Sequence, residues 1–329
     1  MAKENLSELE NLLNKMIENA SSRRIFLQVA PLMMAACAAP EKTRYREGDN
    51  AGQETELTVA DEKRLTSEVL PKMQKEYPPL KDSVAQDYIR SLGQKIVYAN
   101  DLNRKPYTYN FTLVDSEMVN AFALPAGTIF VTKPLLLMAE TEAELAGVIG
   151  HEIGHVVARH TAERMDKAKR SQKQSLLYTL GGGLLGGALG YGASKLICDK
   201  RDKECIKRAT ELGVMGGAAG GLLIQKYAFM ANSREDEMEA DRVGFRTAYK
   251  ANYSSRFIGN FYTRLLAMEE KAKSSRSRVE LAIADAMSTH PPSRERVVQM
   301  RQMQQEVKNR KNALVSSTEF ERLQKRLKS

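Results

Sequence analysis

His151-Glu152-Ile153-Gly154-His155 constrains this chain more than any other short stretch in it. Apolar and small residues around it give a helical pattern. Thr141 stands as N-cap with Glu144 three residues on as the partner of a capping box, so a helix is expected from about Glu142 through Val156 to Arg164. Residues four apart in a helix differ by a net rotation of about 40° and roughly one turn of rise, so both imidazoles reach the same point beside the axis. That pair is a two-point grip for a metal ion. Glu152, one position on, can address a water in the ion's open position, taking its proton and later passing it to a leaving amine.

A third ligand has to come from elsewhere. The extended metzincin pattern needs Gly at 158 and His at 161, where this chain has Ala158 and Thr161. His160 lies nine residues from His151, about 180° around a continuous helix, and is read as pointing away. Downstream, the run from Asn232 to Asp241 carries five carboxylates and by itself reads as a solvated helix face. Beside the upstream motif it reads differently. Glu237 and Asp241, four apart, share a face, so Glu237 can close a His-His-Glu site while Asp241 takes a hydrogen bond from a ligand imidazole. Small Gly154 and Ala240 would let the two helices approach closely.

The rest of the body reads as α+β, mainly helical with a small, mostly antiparallel sheet. Two helical patterns run through Leu65, Val69, Leu70 and Met73 and through Val84, Tyr88, Ile89, Leu92 and Ile96. Strands follow over Tyr107 to Val114 and Thr128 to Thr132, the second after a Pro125-Ala126-Gly127 turn.

The N-terminus reads as an address. Ser22-Arg23-Arg24-Ile25-Phe26-Leu27 and an uncharged stretch ending in Met34-Ala35-Ala36-Cys37 combine a twin-arginine export signature with a lipobox whose Cys37 would carry lipid. Residues 1–36 are therefore assigned to the signal and 37–58 to a flexible tether. Residues 59–300 are assigned to the catalytic domain and 301–329 to a basic helical tail. Ala38 after the cysteine directs the expectation to the periplasmic side of an outer membrane, with a soluble periplasmic protein as the alternative. In that oxidising compartment Cys198 and Cys205 are expected to pair. Two glycine-rich apolar segments, 175–197 and 212–224, are read as closely packed helices beside the site, the alternative being a membrane hairpin.

With these pieces in place, the chain resembles the gluzincin metallopeptidases of the group containing HtpX and the CAAX prenyl proteases. More narrowly, it resembles periplasmic outer-membrane lipoprotein peptidases of the LoiP and BepA kind. Val119 to Pro125, Ile129 to Thr132, Glu144-Leu145-Ala146, the Ser233 to Asp241 block and Thr289-His290-Pro291 carry that resemblance. It implies a zincin-type fold, one zinc ion per chain, and a substrate strand beside the cleft at Asn120, Ala121 and Phe122. It also implies that His290 takes the metal's fourth position or stabilises the oxyanion, with Arg296 as a companion catalytic arginine. Ala126 departs from it, since relatives often have Gly there. No repeat period is visible downstream, so no TPR unit is expected.

The resulting expectation is a zinc-dependent endopeptidase that hydrolyses misfolded or misassembled cell-envelope proteins. The alternatives are a chaperone-like or latent metal-bound binding protein and a membrane-embedded protease. No nucleic-acid partner is expected. Of the net charge of +9, a surplus of six sits from Ser293 onward, where ten Lys/Arg face four Asp/Glu and Phe320 is the lone aromatic.

Overall fold

Two helices lead into the body. The computed structural model of the chain describes residues 55–167, 170, 232–272 and 289–328. The expected signal with Cys37, the tether through residue 54, the glycine-rich segments and the Cys198 and Cys205 pair lie outside the described residues. Helix α1 (Val59–Glu76) opens on a Thr58–Asp61 capping box, and α2 (Ser83–Ala99) opens on Asp82, whose side chain accepts the Ala85 N–H. Both bury most of the apolar stripes seen in the sequence, Leu65, Val69 and Met73 from α1 and Ile89, Leu92 and Ile96 from α2, while Leu70 and Tyr88 are half-buried and Val84, in the first turn of α2, is exposed. Residues 55–58 are tied to the body as well. The Glu56 N–H donates to the Asp166 carboxylate, and the Leu57 carbonyl accepts from Arg159.

Three strands follow, β1 (Asn110–Val114), β2 (Ala121–Ala123) and β3 (Thr128–Thr132), in the order β1-β3-β2. The Pro125–Gly127 turn makes β2 and β3 antiparallel, with Phe122 opposite Phe130, but β1 runs parallel to β3 from Asn110 opposite Thr128 to Val114 opposite Thr132. The sheet is therefore mixed, not mostly antiparallel. β3 is buried along its whole length and needs a partner on each edge. The short turn gives one edge to β2, which leaves the other to β1. Inside the turn Ala126 adopts φ 65°, a left-handed conformation that costs a non-glycine residue roughly 1–2 kcal/mol. A glycine at this position would be free of that cost.

After α3 (Lys133–Met138) comes α4 (Glu142–Val157), whose side chains are buried on every face through Val156. Leu145, Ile149 and Ile153 are fully buried, each contributing roughly 1.5–3 kcal/mol, which helps offset the burial of the polar residues between them. The capping box at its start is half-formed. The Thr141 hydroxyl accepts the Glu144 N–H, but the Glu144 carboxylate accepts from the Glu140 N–H and from Arg264 instead. Nor does the helix run unbroken to Arg164. Arg159 adopts φ 56° and breaks it, held by Nε to Glu62 Oε1 at 2.6 Å, and helix resumes over residues 160–167.

Next come α5 (Arg234–Lys250), α6 (Ser255–Ile258), α7 (Asn260–Ala272), α8 (Arg294–Glu306) and α9 (Thr318–Lys328). α5 opens on a Ser233–Asp236 capping box and lies directly along α4. The approach depends on missing side chains. A Cβ on Gly154 would stand 2.9 Å from the Ala240 carbonyl oxygen, and one on Gly244 would stand 2.6 Å from the His151 backbone nitrogen. At the C-terminus, α9 packs Phe320, Leu323 and Leu327 into the core, and Gln324 donates to the Leu136 and Ala139 carbonyls. No helix among the described residues is long and apolar enough to cross a membrane.

Candidate metal centre

The contact between α4 and α5 gathers the polar residues that the sequence separates. His151 and His155 project from α4, Glu237 from α5, and His290 from the segment that leads into α8; one ligand atom from each lies within 4.8 Å of the others. His151 Nε2 is 2.9 Å from His155 Nε2, 3.4 Å from Glu237 Oε2 and 3.3 Å from His290 Nδ1. His155 Nε2 is 3.3 Å from Glu237 Oε1, and His290 Nδ1 is 3.1 Å from the same oxygen. A tetrahedral ion with bonds of ~2.0–2.1 Å sets its ligand atoms about 3.3 Å apart. The donor set and its spacing fit zinc. Several lone-pair atoms converging in a buried pocket also repel one another until a cation or proton lies between them.

The surroundings set the charges. Burial opposes ionisation of Glu237, but Arg296, His290 and His151 outweigh it and hold its carboxyl well below the usual range. Burial likewise opposes a charge on Asp241, and Arg296 and His151 overcome it. Asp241 Oδ1 sits 2.9 Å from His151 Nδ1, which leaves Nε2 facing the cluster. For His151, burial works against the imidazolium, yet Glu237 and Asp241 raise its pKa to about 9. His155 goes the other way, because burial and its neighbour His151 hold its pKa well below the ordinary imidazole value. Burial pushes the Glu152 carboxyl up against the pull of His290 and His151, and its Oε1 is 3.6 Å from His290 Nε2.

Arg296, expected as a companion catalytic arginine, stands against the proposed ligand Glu237 and its neighbour Asp241. The side chain is buried, its Nε and Nη2 fork onto Asp241 at 2.7 and 2.8 Å, its Nη1 reaches Glu237 Oε2 at 2.6 Å, and the Pro291 carbonyl accepts from it at 3.1 Å. Its guanidinium also lies 4.7 Å from the Tyr262 ring centre. These contacts brace Glu237 and Asp241 from behind the cluster. Asn120, Ala121 and Phe122 are buried too. Phe122 stacks on Phe130, and the Asn120 N–H donates to the Thr132 hydroxyl, while β2 forms an edge of the sheet.

Three residues at the centre escape the sequence reading. His160 was projected to the far face, but the break at Arg159 turns it inward, and its Nδ1 lies 2.8 Å from His155 Nδ1. Asn232 Nδ2 donates to the Thr289 carbonyl at 3.1 Å and lies 3.3 Å from His290 Nδ1. Its place at the head of the carboxylate run was the available signal. Tyr262, whose ring centre is 5.5 Å from that of His151, had none.

The sequence pattern of peptidase family M48 matches residues 83–304. The chain belongs to that family. The matched span holds His151, Glu152, His155, Glu237, His290 and Arg296, so the M48 assignment and the buried cluster coincide. The beta-barrel assembly-enhancing protease of Escherichia coli K12 is 26% identical over 283 residues, which cover 84% of this chain and 50% of that one. A putative beta-barrel assembly-enhancing protease of Vibrio cholerae is 30% identical over 210 residues, 64% of this chain and 38% of that one. The mitochondrial metalloendopeptidase OMA1 of Arabidopsis thaliana is 35% identical over 130 residues, 40% of this chain and 26% of that one. This M48 chain spans half the length, or less, of these relatives.

Proposed function

We propose that this chain is a zinc-dependent endopeptidase that hydrolyses peptide bonds of unfolded or misassembled cell-envelope proteins. One observation carries the reading: in an M48 chain, His151, His155 and Glu237 converge at tetrahedral ligand spacing with Glu152 beside them. His151, His155 and Glu237 would hold one zinc ion, which supplies a Lewis acid that acidifies water and polarises a scissile carbonyl. Glu152 takes a proton from the attacking water at a carboxylate oxygen and passes it to the leaving amine nitrogen. Its raised pKa keeps proton affinity high enough for both transfers. Asp241 orients His151, and Arg296 holds Glu237 and Asp241 in place. The edge of β2 at Asn120, Ala121 and Phe122 offers main-chain groups along which an extended substrate can add as a strand.

The envelope assignment draws on the signal-like N-terminus, Cys37 as a lipid anchor on the periplasmic side of the outer membrane, and the names of the bacterial relatives. Export by the twin-arginine route, a Cys198–Cys205 disulfide and the 1–36, 37–58, 59–300 and 301–329 division belong to the same proposal. A second reading has its own observation. His290 stands at a fourth corner of the cluster, 3.3 Å from His151 and 3.1 Å from Glu237, where it would hold a metal-bound but latent protein.

The experiment is cleavage of a purified, unfolded outer-membrane polypeptide by the purified chain. Chelation is expected to abolish it and added zinc to restore it. Cleavage indifferent to chelator would overturn the peptidase reading, and cleavage that appears only in His290→Ala would favour the latent one. Metal binding is also expected to be proton-linked. Metal-free His151 keeps its proton until about pH 9, so the ion must displace it. Apparent affinity should therefore rise with pH from neutrality towards about 9, with about one proton released per ion at pH 7. Titration calorimetry in two buffers of different ionisation enthalpy reads that proton, and a value of zero would contradict the assignment.

A further inference from the structure

We infer that His160 and Glu239 form an outer layer of the metal centre, a relay that fixes the tautomer and aim of His155. This rests on the metal-binding reading above. His160 is fully buried, with Nδ1 2.8 Å from His155 Nδ1 and Nε2 3.2 Å from Glu239 Oε2. Asp236 Oδ1 lies farther from the same nitrogen, at 3.7 Å.

The proton count follows from donor and acceptor chemistry. Two ring nitrogens at 2.8 Å cannot both be bare and cannot both carry hydrogen, so one proton lies between them. At its other end His160 faces a carboxylate, which when ionised only accepts. A neutral His160 therefore carries its hydrogen on Nε2 and presents a lone pair at Nδ1. The shared proton then belongs to His155 Nδ1, which leaves the lone pair of His155 on Nε2, the atom that faces His151 and Glu237. His151 reaches the same result directly, with Asp241 Oδ1 2.9 Å from its Nδ1. The two ligands thus have matched supports, one a carboxylate and the other an imidazole backed by a carboxylate.

The backbone explains how His160 reaches this place. Continued as a helix, α4 would carry residue 160 to the face opposite His151. Arg159 at φ 56°, anchored on Glu62, turns the chain so that the His160 ring centre comes within 4.9 Å of that of His155. The helix break is thus part of the site.

The test uses the full chain loaded with zinc or cobalt. Long-range proton–nitrogen correlation spectra should show His160 protonated at Nε2 and His155 at Nδ1, and a His160 protonated at Nδ1 alone would overturn the relay. His160→Leu, which keeps volume but loses the acceptor, should weaken metal affinity about 10–100-fold and shift the visible spectrum of the cobalt form. His160→Asn puts an amide oxygen near the lost Nδ1 and should recover most of that affinity. If wild type and His160→Leu bind metal equally, with the same cobalt spectrum, the relay is wrong while the metal centre stands. If wild type binds no metal, the underlying reading fails and the relay with it. Should His160→Leu not fold, Glu239→Leu, which leaves no oxygen to accept from His160 Nε2, decides: weakened affinity supports the relay, and unchanged affinity and spectrum overturn it.

Discussion

Glu152→Gln is expected to lower kcat/KM for an unfolded polypeptide by about 10²–10⁴-fold, the usual contribution of a positioned general base. Zinc content should match wild type. The substitution removes a proton acceptor but none of the proposed ligand atoms, and it keeps the side-chain volume inside a fully buried helix. Burial raises the Glu152 pKa, so the acid limb of the wild-type pH–rate profile should lie above the ordinary carboxylate range of about 4.3. The base works only when ionised, so activity rises with pH through that limb. In Glu152→Gln the limb should disappear. A variant with activity within a few-fold of wild type, at equal metal content, would remove Glu152 from the mechanism.

Arg296→Met should destabilise the metal-free protein by about 3–5 kcal/mol, because deleting one member of a buried ionic cluster strands its partners. Arg296 is the cation between Asp241 and Glu237, at 2.6–2.8 Å from three of their oxygens. Both carboxyls are held below their ordinary values of 4.5 and 3.8 in the folded protein, so they add stability above those values that is lost as pH falls through the lowered ones. Without the guanidinium that contribution is gone. The deficit is therefore largest at neutral pH and shrinks in acid, where the carboxyls can be neutral. Denaturant unfolding at neutral pH and near pH 4 measures it. Saturating zinc should recover part of the loss by supplying positive charge to Glu237 and binding only the folded state. A loss below about 1 kcal/mol at neutral pH would show that Arg296 is not the brace its distances describe.

Much of the centre was legible because it depends on spacing along single helices. His151 and His155 share a face for the same reason that Glu237 and Asp241 do, and Gly154 beside Ala240 signals where two helices can meet. The apolar stripes of α1 and α2 were equally visible, since 3.6-residue periodicity survives without knowledge of the partner. The sheet was harder. Alternating residues identify β1 and the Pro125-Ala126-Gly127 turn introduces β3, but strand direction depends on which edge is free, and no residue within β1 records that β2 has already taken one side of β3.

The sequence by itself determined the reactive groups and their local phase: two imidazoles and a carboxylate on one helix, two carboxylates on another, and the family they belong to. Only the tertiary structure decided what stands around them. Arg296 is separated from Asp241 by 55 residues and comes to grip it because α8 packs on α5. His160 faces His155 because one backbone angle, at Arg159, leaves the helical region under the hold of Glu62 on α1. Helix geometry propagates phase only while φ and ψ repeat, and charge compensation in a buried site is set by distance through space. A linear pattern records neither.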